Sequence, residues 1–181
     1  MKTIYLVRHA KAELRRDGKP DEMRRLLVKG EVNTKFVCDY LRAHKIRTDM
    51  IITSHVVRAV ETANMIASAL RYPEDNIKID SHIYFSGVSS LFNQFYDISD
   101  FARSVMIIGH NPSITSFVNY FIKDQIDNLP TSGLIGISFD INKWHRLDKA
   151  EGTEILRVFP KTIKKIIKCG ALAMSNETIR Q

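Results

Sequence analysis

The sequence predicts an α/β domain, a three-layer α/β/α sandwich with a mostly parallel central sheet. Short apolar runs rich in β-branched residues alternate along the chain with longer stretches of helical spacing. This alternation is typical of a parallel sheet that is covered by helices on both faces. Three of the runs are also followed by histidine or arginine residues. Because ligands bind at the C-terminal ends of strands in such sheets, the pattern predicts both a fold and the place of its site.

The first half of the chain is predicted to contain three strands and two helices. The apolar run Ile4-Tyr5-Leu6-Val7 is too short for a helix and is typical of a buried strand. The elements of this half are, in order, a strand at 3–8, a polar loop at 10–28, a helix from about Gly30 to His44, a strand at 50–53, a helix at about 57–70 that ends at Tyr72-Pro73, and a short strand at 77–79.

The second half continues the alternation and closes the sheet. Its elements are a helix near 88–97, a strand at 104–108, a helix at about 113–123, and two further strands at Leu134–Ile141 and Glu154–Phe159. We expect the last two strands to lie near the edge of the sheet. Residues 1–160 are thus predicted to form one domain, and residues 161–181 a basic C-terminal tail.

The charge of the chain is concentrated at its C-terminal end. Of the net charge of +7, residues 161–181 contribute +4, from five basic residues and one acidic residue, which leaves +3 for residues 1–160. Lysine-rich tails are usually solvated. We therefore expect the tail to be solvated and the protein to have no nucleic-acid partner. The alternative is that the tail binds an anionic partner such as RNA weakly. The oligomeric state cannot be derived from the composition.

Cysteine usage and hydropathy favour a reduced, cytoplasmic protein. Cys38 and Cys169 form no closely spaced motif. The apolar run before Arg8 is too short for a signal peptide, and no apolar stretch approaches the roughly 18 residues that a membrane span needs. We expect no contact with a membrane.

The polar residues at the three strand ends predict a site for a phosphoryl group. Arg8 and His9 end the first strand, Arg58 follows the second at the start of a helix, and His110 follows the third. Arginine offers forked donors to phosphoryl oxygens, and an uncharged His9 could attack the phosphorus. No metal-ligand spacing is present, and two arginines in one pocket would repel a divalent cation. We expect neither a metal nor another cofactor.

Three motifs of the chain resemble those of a known family. Leu6-Val7-Arg8-His9-Ala10 resembles the Arg-His-Gly signature of the histidine phosphatase (phosphoglycerate mutase-like) superfamily. The segment from Thr53 to Ala63 is similar to its Ser-Pro-x-x-Arg-Ala-x-x-Thr motif, and Gly109-His110-Asn111-Pro112 to its second-histidine motif. The Arg-His-Ala-Lys-Ala form of the first motif, Leu129–Gly133 and Trp144 resemble the branch of SixA-type phosphohistidine phosphatases.

The resemblance implies a phosphoglycerate mutase-like fold and a role for each matching residue. His9 would be the nucleophile that is transiently phosphorylated, while Arg8, Arg58 and His110 would bind the phosphoryl oxygens. Arg15 and Arg24, on the loop after the nucleophile, are further candidates for substrate contacts. In other residues the indications are weaker: His55 stands where the family motif has proline, and Thr131 and Ser132 could reach the pocket.

One departure from the family bears on the substrate. Many relatives place a Glu after the third strand to protonate a leaving alkoxide, but Ser81–Tyr96 contains no Asp or Glu, and Asp80 is a flanking acid. An imidazole leaving from phosphohistidine needs such an acid much less. The chain is therefore expected to be a phosphohistidine phosphatase that acts on a phosphorylated protein. The alternatives are a small-molecule or aryl phosphomonoesterase, and an inactive phospho-ligand-binding or RNA-associated protein.

Overall fold

The computed structural model describes residues 1–84, 87–167 and 169, which contain a six-stranded sheet. The strands are β1 (Lys2–Arg8), β2 (Met50–Thr53), β3 (Lys78–Ile79), β4 (Ser104–Gly109), β5 (Leu134–Phe139) and β6 (Gly152–Val158). They lie in the order β3-β2-β4-β1-β5-β6. The first four strands pair in parallel, and β5 and β6 add to the β1 edge as antiparallel strands. The predicted mostly parallel central sheet is confirmed.

Helices cover both faces of this sheet. They are α1 (Val28–Ala43), α2 (Val57–Leu70), α3 (Val88–Asn93) and α4 (Ser113–Phe121). Successive side chains of a strand point to opposite faces. Accordingly Ile4 and Leu6 of β1 belong to one buried cluster with residues of α3 and α4, whereas Tyr5 and Val7 belong to a second cluster with residues of α1 and α2. The three-layer sandwich is confirmed.

The bounds of the elements agree with the sequence to within a few residues. The strand at 50–53 and the helix at 57–70 are as predicted. The helix expected near 88–97 is shorter and ends at Asn93. Phe95 and Ile98 lie in the turns that follow it, and their side chains are buried in the core. The helix expected from Gly30 begins at Val28 instead.

The strand register brings the ends of three strands to one level. Arg8 at the end of β1 is paired with Gly109 at the end of β4, and the His9 amide donates a hydrogen bond to the Gly109 carbonyl at 3.1 Å. On the other side of β4, the Ser54 amide donates to the carbonyl of Ile108 at 3.2 Å. The residues that follow β1, β2 and β4 therefore meet at one edge of the sheet.

The loop after β1 is fixed by its contact with α1. The Leu27 amide donates to the Lys11 carbonyl at 2.9 Å, and an isolated bridge pairs Ala12 with Leu26. A Cβ atom on Gly30 would lie only 2.2 Å from the Lys11 carbonyl oxygen, so the close approach of helix and loop requires glycine here.

Residues 160–167 are helical and contact α1. The Lys164 Nζ atom donates to the Asn33 side chain at 2.7 Å and lies 5.0 Å from the centre of the Phe36 ring, while Ile163 packs against the cluster of α1 and α2. The start of the predicted basic tail thus packs on the domain. Its remainder, apart from the exposed Cys169, lies outside the described residues. No helix in the described ranges is long and apolar enough to span a membrane.

Candidate active site

A pocket of about 590 Å³ opens at the C-terminal ends of β1 and β4. It is lined by Arg8, His9, Lys11, Ala12, Arg24, Arg58, Tyr84, His110, Asn111, Pro112, Ser113 and Thr131. The structure therefore brings together the four side chains that the strand-end pattern singled out. The lining is cationic and contains no carboxylate.

His9 is the first residue after β1, and its ring has a defined tautomer. The Nδ1 atom lies 2.7 Å from the Ala10 carbonyl oxygen, which can only accept, so Nδ1 donates and Nε2 keeps its lone pair. The Ala10 amide in turn donates to the Thr62 hydroxyl of α2 at 3.0 Å. Burial, together with the positive charges of Arg58 and Arg8, lowers the pKa of His9 to about 4. The imidazole is therefore uncharged and nucleophilic at neutral pH.

His110 follows β4 and lies beside His9, with the two ring centres 4.8 Å apart. Burial and the proximity of His9 and Arg58 lower the pKa of His110 to about 2. Both of its ring nitrogens are buried and lack a hydrogen-bond partner among the described residues. The edge of the Tyr84 ring packs against it, with the ring centres 5.1 Å apart. A neutral His110 can donate one hydrogen bond to a ligand in the pocket.

Arg58 enters the pocket from the first turn of α2 and is only 3% exposed. Its Nη1 atom donates to the backbone carbonyl of Asp21 at 2.7 Å, and its Nη2 atom to the Asp21 carboxylate at 2.9 Å. Its guanidinium carbon lies 5.5 Å from the centre of the Tyr84 ring. The buried positive charge of Arg58 is thus paired with Asp21, as a charge in a poorly solvated site must be.

Arg8 and Arg24 also contribute positive charge to the lining. The Nη1 atom of Arg8 donates to the Leu129 carbonyl at 3.0 Å, and Nη1 of Arg24 donates to the Glu13 carbonyl at 2.6 Å. The Nε atoms of Arg8, Arg24 and Arg58 are all buried and have no hydrogen-bond partner in the part of the chain that the structure describes. A buried donor without a partner costs about 1–3 kcal/mol, so these atoms favour an oxygen-rich anionic ligand.

Of the two loop arginines proposed from sequence, only Arg24 lines the pocket. Arg15 is exposed and does not line it, whereas Arg24 is held beside the pocket by its hydrogen bond to the Glu13 carbonyl and its ion pair with Asp21. His55 is exposed and also lies outside the lining, although its ring packs against Tyr84.

The two hydroxyl residues after Pro130 differ in position. Thr131 lines the pocket. Ser132 is buried behind it: its amide donates to the Arg8 carbonyl at 3.1 Å, and its hydroxyl lies 2.9 Å from that of Thr34 in α1. Ser132 therefore fixes the end of β1, which carries Arg8 and His9.

Several residues near the pocket, among them Asp21, Tyr84 and Asn111, were not found from the sequence. Asp21 lies in a short 3-10 turn (Asp21–Met23) and contacts two of the arginines. Tyr84 lines the pocket and donates a hydrogen bond to the Asp21 carboxylate. Asn111 belongs to the second-histidine motif and donates to the Leu129 carbonyl at 3.2 Å. The only signal for Asp21 in the sequence was that this acidic residue stands three residues before Arg24, which was proposed to contact the substrate.

Asp80, the flanking acid, faces a different cavity from His9. Its carboxylate accepts hydrogen bonds from the backbone amide and the ring of His82, at 2.8 and 2.9 Å, and caps the turn that follows β3. It lines a separate cavity of about 270 Å³ together with Gln94 and other residues. Partial burial would raise the pKa of Asp80, but the hydrogen bonds from His82 outweigh it and lower the pKa. Asp80 is therefore an ionised cap.

The described residues contain no group of three or more His, Cys, Asp or Glu side chains that could hold a metal ion. Positive charge in the pocket comes from Arg8, Arg24, Arg58 and Lys11, which all line it.

Comparison with known proteins agrees with this fold. Residues 4–81 match the family model of the histidine phosphatase superfamily (branch 1). A protein of Agrobacterium tumefaciens, provisionally named phosphohistidine phosphatase SixA, has a TM-score of 0.74 at 22% identity, over 87% of this chain and 97% of that chain. The protein histidine phosphatase SixA complexed with tungstate has a TM-score of 0.71 at 18% identity, over 89% of this chain and 99% of that one. An uncharacterized protein of Picosynechococcus sp. is 27% identical over 144 residues, 74% of this chain and 83% of that protein.

The family match covers the segment that contains Arg8, His9 and Arg58, and the shared fold extends over most of the chain. The resemblance to the histidine phosphatase superfamily and its phosphoglycerate mutase-like fold is thereby confirmed. Residues 4–81 are thus similar to the histidine phosphatase superfamily, and the fold of the chain is that of the SixA structures.

Proposed function

We propose that this protein is a phosphatase that removes the phosphoryl group from a protein phosphohistidine, without a metal, through a phosphorylated His9. The observation that carries the proposal is the convergence on one pocket of a neutral histidine nucleophile and four buried donors without partners, namely His110 and the Nε atoms of Arg8, Arg24 and Arg58. Such preorganised donors stabilise the charge on a transferring phosphoryl group.

The first step transfers the phosphoryl group to His9. The lone pair of Nε2 forms a bond to phosphorus while the bond from phosphorus to the substrate imidazole breaks, and the electron pair of that bond stays on the leaving nitrogen. When the other ring nitrogen of the substrate carries a proton, the leaving group is a neutral imidazole. His9 keeps its Nδ1 proton, which the Ala10 carbonyl accepts as a hydrogen bond, and its ring becomes positively charged.

The second step regenerates the enzyme. Water attacks the phosphorus of phosphorylated His9, and the bond between Nε2 and phosphorus breaks with its electron pair returning to Nε2. Both protons of the water leave with the phosphate as dihydrogen phosphate, and His9 returns to its neutral form. The arginines and His110 hold the phosphoryl oxygens in both steps, so positioning and charge stabilisation supply the catalysis.

Phosphohistidine and phosphate esters differ in the leaving group that the reaction must release. An alkoxide needs a general acid, yet the pocket lining contains no carboxylate, and Asp80 caps a turn at another cavity. A leaving imidazole can already carry its proton. The pocket therefore favours cleavage of a P–N bond over cleavage of an aliphatic P–O bond.

The proposed partner is a phosphorylated protein, as the resemblance to SixA proteins suggests, and the role would be in phosphohistidine signal transduction. The tungstate in one SixA structure is a tetrahedral oxyanion like phosphate. We further propose that the protein acts in the cytoplasm and that residues 1–160 form the catalytic domain.

A comparison of substrates tests this function. We would measure kcat/KM for a phosphohistidine protein, an aryl phosphate and a glycerate phosphate, with the parent protein and with Asp80→Asn. Phosphohistidine should exceed the glycerate ester by roughly 10²-fold or more, with the aryl phosphate between them. Asp80→Asn should leave this order unchanged.

Two results of that comparison would contradict the proposal. Equal rates on the glycerate ester and phosphohistidine, with selective loss of the ester activity in Asp80→Asn, would establish a phosphomonoesterase with Asp80 as its acid. Absence of turnover on all three substrates, together with no binding of inorganic phosphate, would show that the pocket is not a phosphoryl site.

A further inference from the structure

We propose that Asp21 is a positioning residue that orients Arg58, Arg24 and Tyr84 around the phosphoryl group. This inference rests on the proposed function, because it concerns the same pocket. Asp21 does not line the pocket itself. It lies behind the lining, in the 3-10 turn of the loop that connects β1 to α1, and it contacts three side chains that do line it.

The contacts use both carboxylate oxygens and the backbone carbonyl of Asp21. Its Oδ2 atom accepts from Nη2 of Arg58 at 2.9 Å and from the Tyr84 hydroxyl, and its Oδ1 atom accepts from Nη2 of Arg24 at 2.9 Å. Its carbonyl accepts from Nη1 of Arg58 at 2.7 Å. One residue thus connects the loop after the nucleophile with α2 and with the segment that follows β3.

The three arginines of the pocket share one pattern of contacts. Each has at least one Nη atom bound to an oxygen of the protein, while its Nε atom has no partner among the described residues. In Arg58, both Nη atoms are bound by Asp21. Because a guanidinium is planar, fixing its Nη end also fixes the direction of its remaining donors. Asp21 therefore determines which donors of Arg58 remain for a ligand.

The positioning role can be tested, because loss of the charge of Asp21 and loss of its hydrogen bonds should have opposite effects on phosphate binding. A carboxylate next to an anion site repels the anion, so removal of its charge alone should strengthen phosphate binding. Removal of its contacts should instead weaken binding and slow the reaction, since a displacement of about 1 Å can cost on the order of 10²-fold in rate. The Arg58 side chain is 4% exposed, so without Asp21 its charge would lack a counter-ion in a site with little water.

Asp21 is also ionised under the conditions in which the enzyme would act. Partial burial favours the neutral carboxyl, but the hydrogen bond from Tyr84 and the charges of Arg58 and Arg24 outweigh this and lower the pKa of Asp21. The same carboxylate, together with burial, raises the pKa of the Tyr84 hydroxyl, which therefore stays protonated and donates.

The experiment compares Asp21→Asn and Asp21→Glu with Glu22→Gln, which removes the same charge one residue away in the same turn. For each folded variant we would measure the dissociation constant of inorganic phosphate, and kcat and KM for an aryl phosphate and a phosphohistidine protein. Asp21→Asn should lower kcat/KM by roughly 10- to 10²-fold and weaken phosphate binding about fivefold or more. Asp21→Glu keeps the charge but moves it by one methylene, so it should also lose activity. Glu22→Gln should stay within about twofold of the parent.

The outcomes separate this inference from the proposed function. Phosphate binding that is unchanged or tighter in Asp21→Asn, with kcat preserved, would overturn the positioning role while the parent remains an active phosphatase. Full activity of Asp21→Glu would overturn it as well, because charge alone would then suffice. A parent protein that neither binds phosphate nor turns over any substrate would instead refute the proposed function.

Discussion

The two ends of β1 differ in whether the buried positive charges there have hydrogen-bond partners in the protein. At its N-terminal end, Lys2 is only 2% exposed, and its Nζ atom donates to the carbonyls of Asp100 and Ala102 at 2.6 and 2.7 Å. The same ammonium group lies 5.0 Å from the centre of the Trp144 ring. At the C-terminal end, Arg8 and its neighbours in the pocket retain buried nitrogens without partners in the described chain.

The difference separates a structural use of charge from a functional one. A buried cation whose donors are bound by the protein contributes to a single, well-ordered fold. Buried donors without partners destabilise the fold instead, and they persist where a ligand supplies the missing acceptors. Substitutions at the two ends of β1 should therefore affect different properties: activity at the pocket end and stability at the Lys2 end.

The largest expected effect is that of His9→Ala. Because His9 supplies the attacking lone pair in the proposed mechanism, turnover should be abolished, with a loss of at least about 10³-fold in kcat on phosphohistidine and aryl phosphates. The melting temperature should change little, since His9 stands at the rim of the sheet. His145→Ala, at an exposed histidine away from the pocket, is the matched control and should keep full activity. Retention of most activity by His9→Ala would disprove the covalent mechanism.

A covalent intermediate gives an independent check of His9. Brief exposure of the parent to substrate, followed by quenching at alkaline pH, should trap an acid-labile phosphoryl group on His9. Mass spectrometry of the quenched protein would locate it, and a phosphoryl group found only on another residue would refute this assignment.

The next largest effect is expected for Arg58→Lys, which keeps the positive charge but removes the planar guanidinium and its several donors. Lysine cannot bind the carbonyl and the carboxylate of Asp21 and a phosphoryl oxygen in one plane. We expect kcat/KM to fall by on the order of 10²-fold. Arg71→Lys, at the exposed C-terminal end of the same helix, should have no effect. Equal activity of Arg58→Lys and the parent would mean that charge alone suffices at this position.

At the other end of β1, Lys2→Met should reduce stability and leave activity unchanged. The substitution keeps the apolar stem but leaves the Asp100 carbonyl without the ammonium donor, which costs about 1–3 kcal/mol in the free energy of unfolding. Urea unfolding measures this loss, and Lys35→Met, at an exposed lysine of α1, should stay within about 0.5 kcal/mol of the parent. A loss of kcat/KM in Lys2→Met without a loss of stability would contradict the division between the two ends.

The pocket end also shows which parts of a site a sequence can reveal. Arg8, His9 and His110 stand directly at strand ends, and Arg58 lies in the first turn of the helix after β2, so the alternation of apolar runs was enough to bring them together. Asp21 lies in an irregular loop, 37 residues before Arg58. No periodicity connects the two residues, and only the folded path of the loop brings them within 2.9 Å.

Arg15 and Arg24 illustrate the same limit. In the sequence both are basic residues of one polar loop, and only the resemblance to the SixA-type branch favours Arg24 over Arg15. In the structure the bridge between Ala12 and Leu26 closes the loop, and Arg24, next to that bridge, donates to the Glu13 carbonyl and to Asp21. Arg15 is left exposed at a distance from the pocket lining. Loop closure depends on tertiary contacts, which the composition of the loop does not encode.

A further effect concerns pH, and it should arise at the pocket end. An unfolded histidine has a pKa of about 6.5, whereas the folded protein lowers those of His9 and His110 to about 4 and about 2. Below pH 6.5 the unfolded chain therefore binds more protons than the folded one, so the free energy of unfolding falls as the pH falls.

Between pH 7 and pH 5 the two imidazoles should each remove on the order of 1–2 kcal/mol of stability, a contribution that is fully present above pH 6.5. Urea unfolding at both pH values measures this loss. In His110→Asn the loss should be smaller by the contribution of one imidazole, while in Lys2→Met it should equal that of the parent, because both histidines are still present. An undiminished pH dependence in His110→Asn would show that this histidine is not held neutral by burial. In the proposed mechanism the same neutral state keeps the His9 lone pair available for attack, so the stability lost on acidification measures how strongly the pocket keeps this imidazole uncharged.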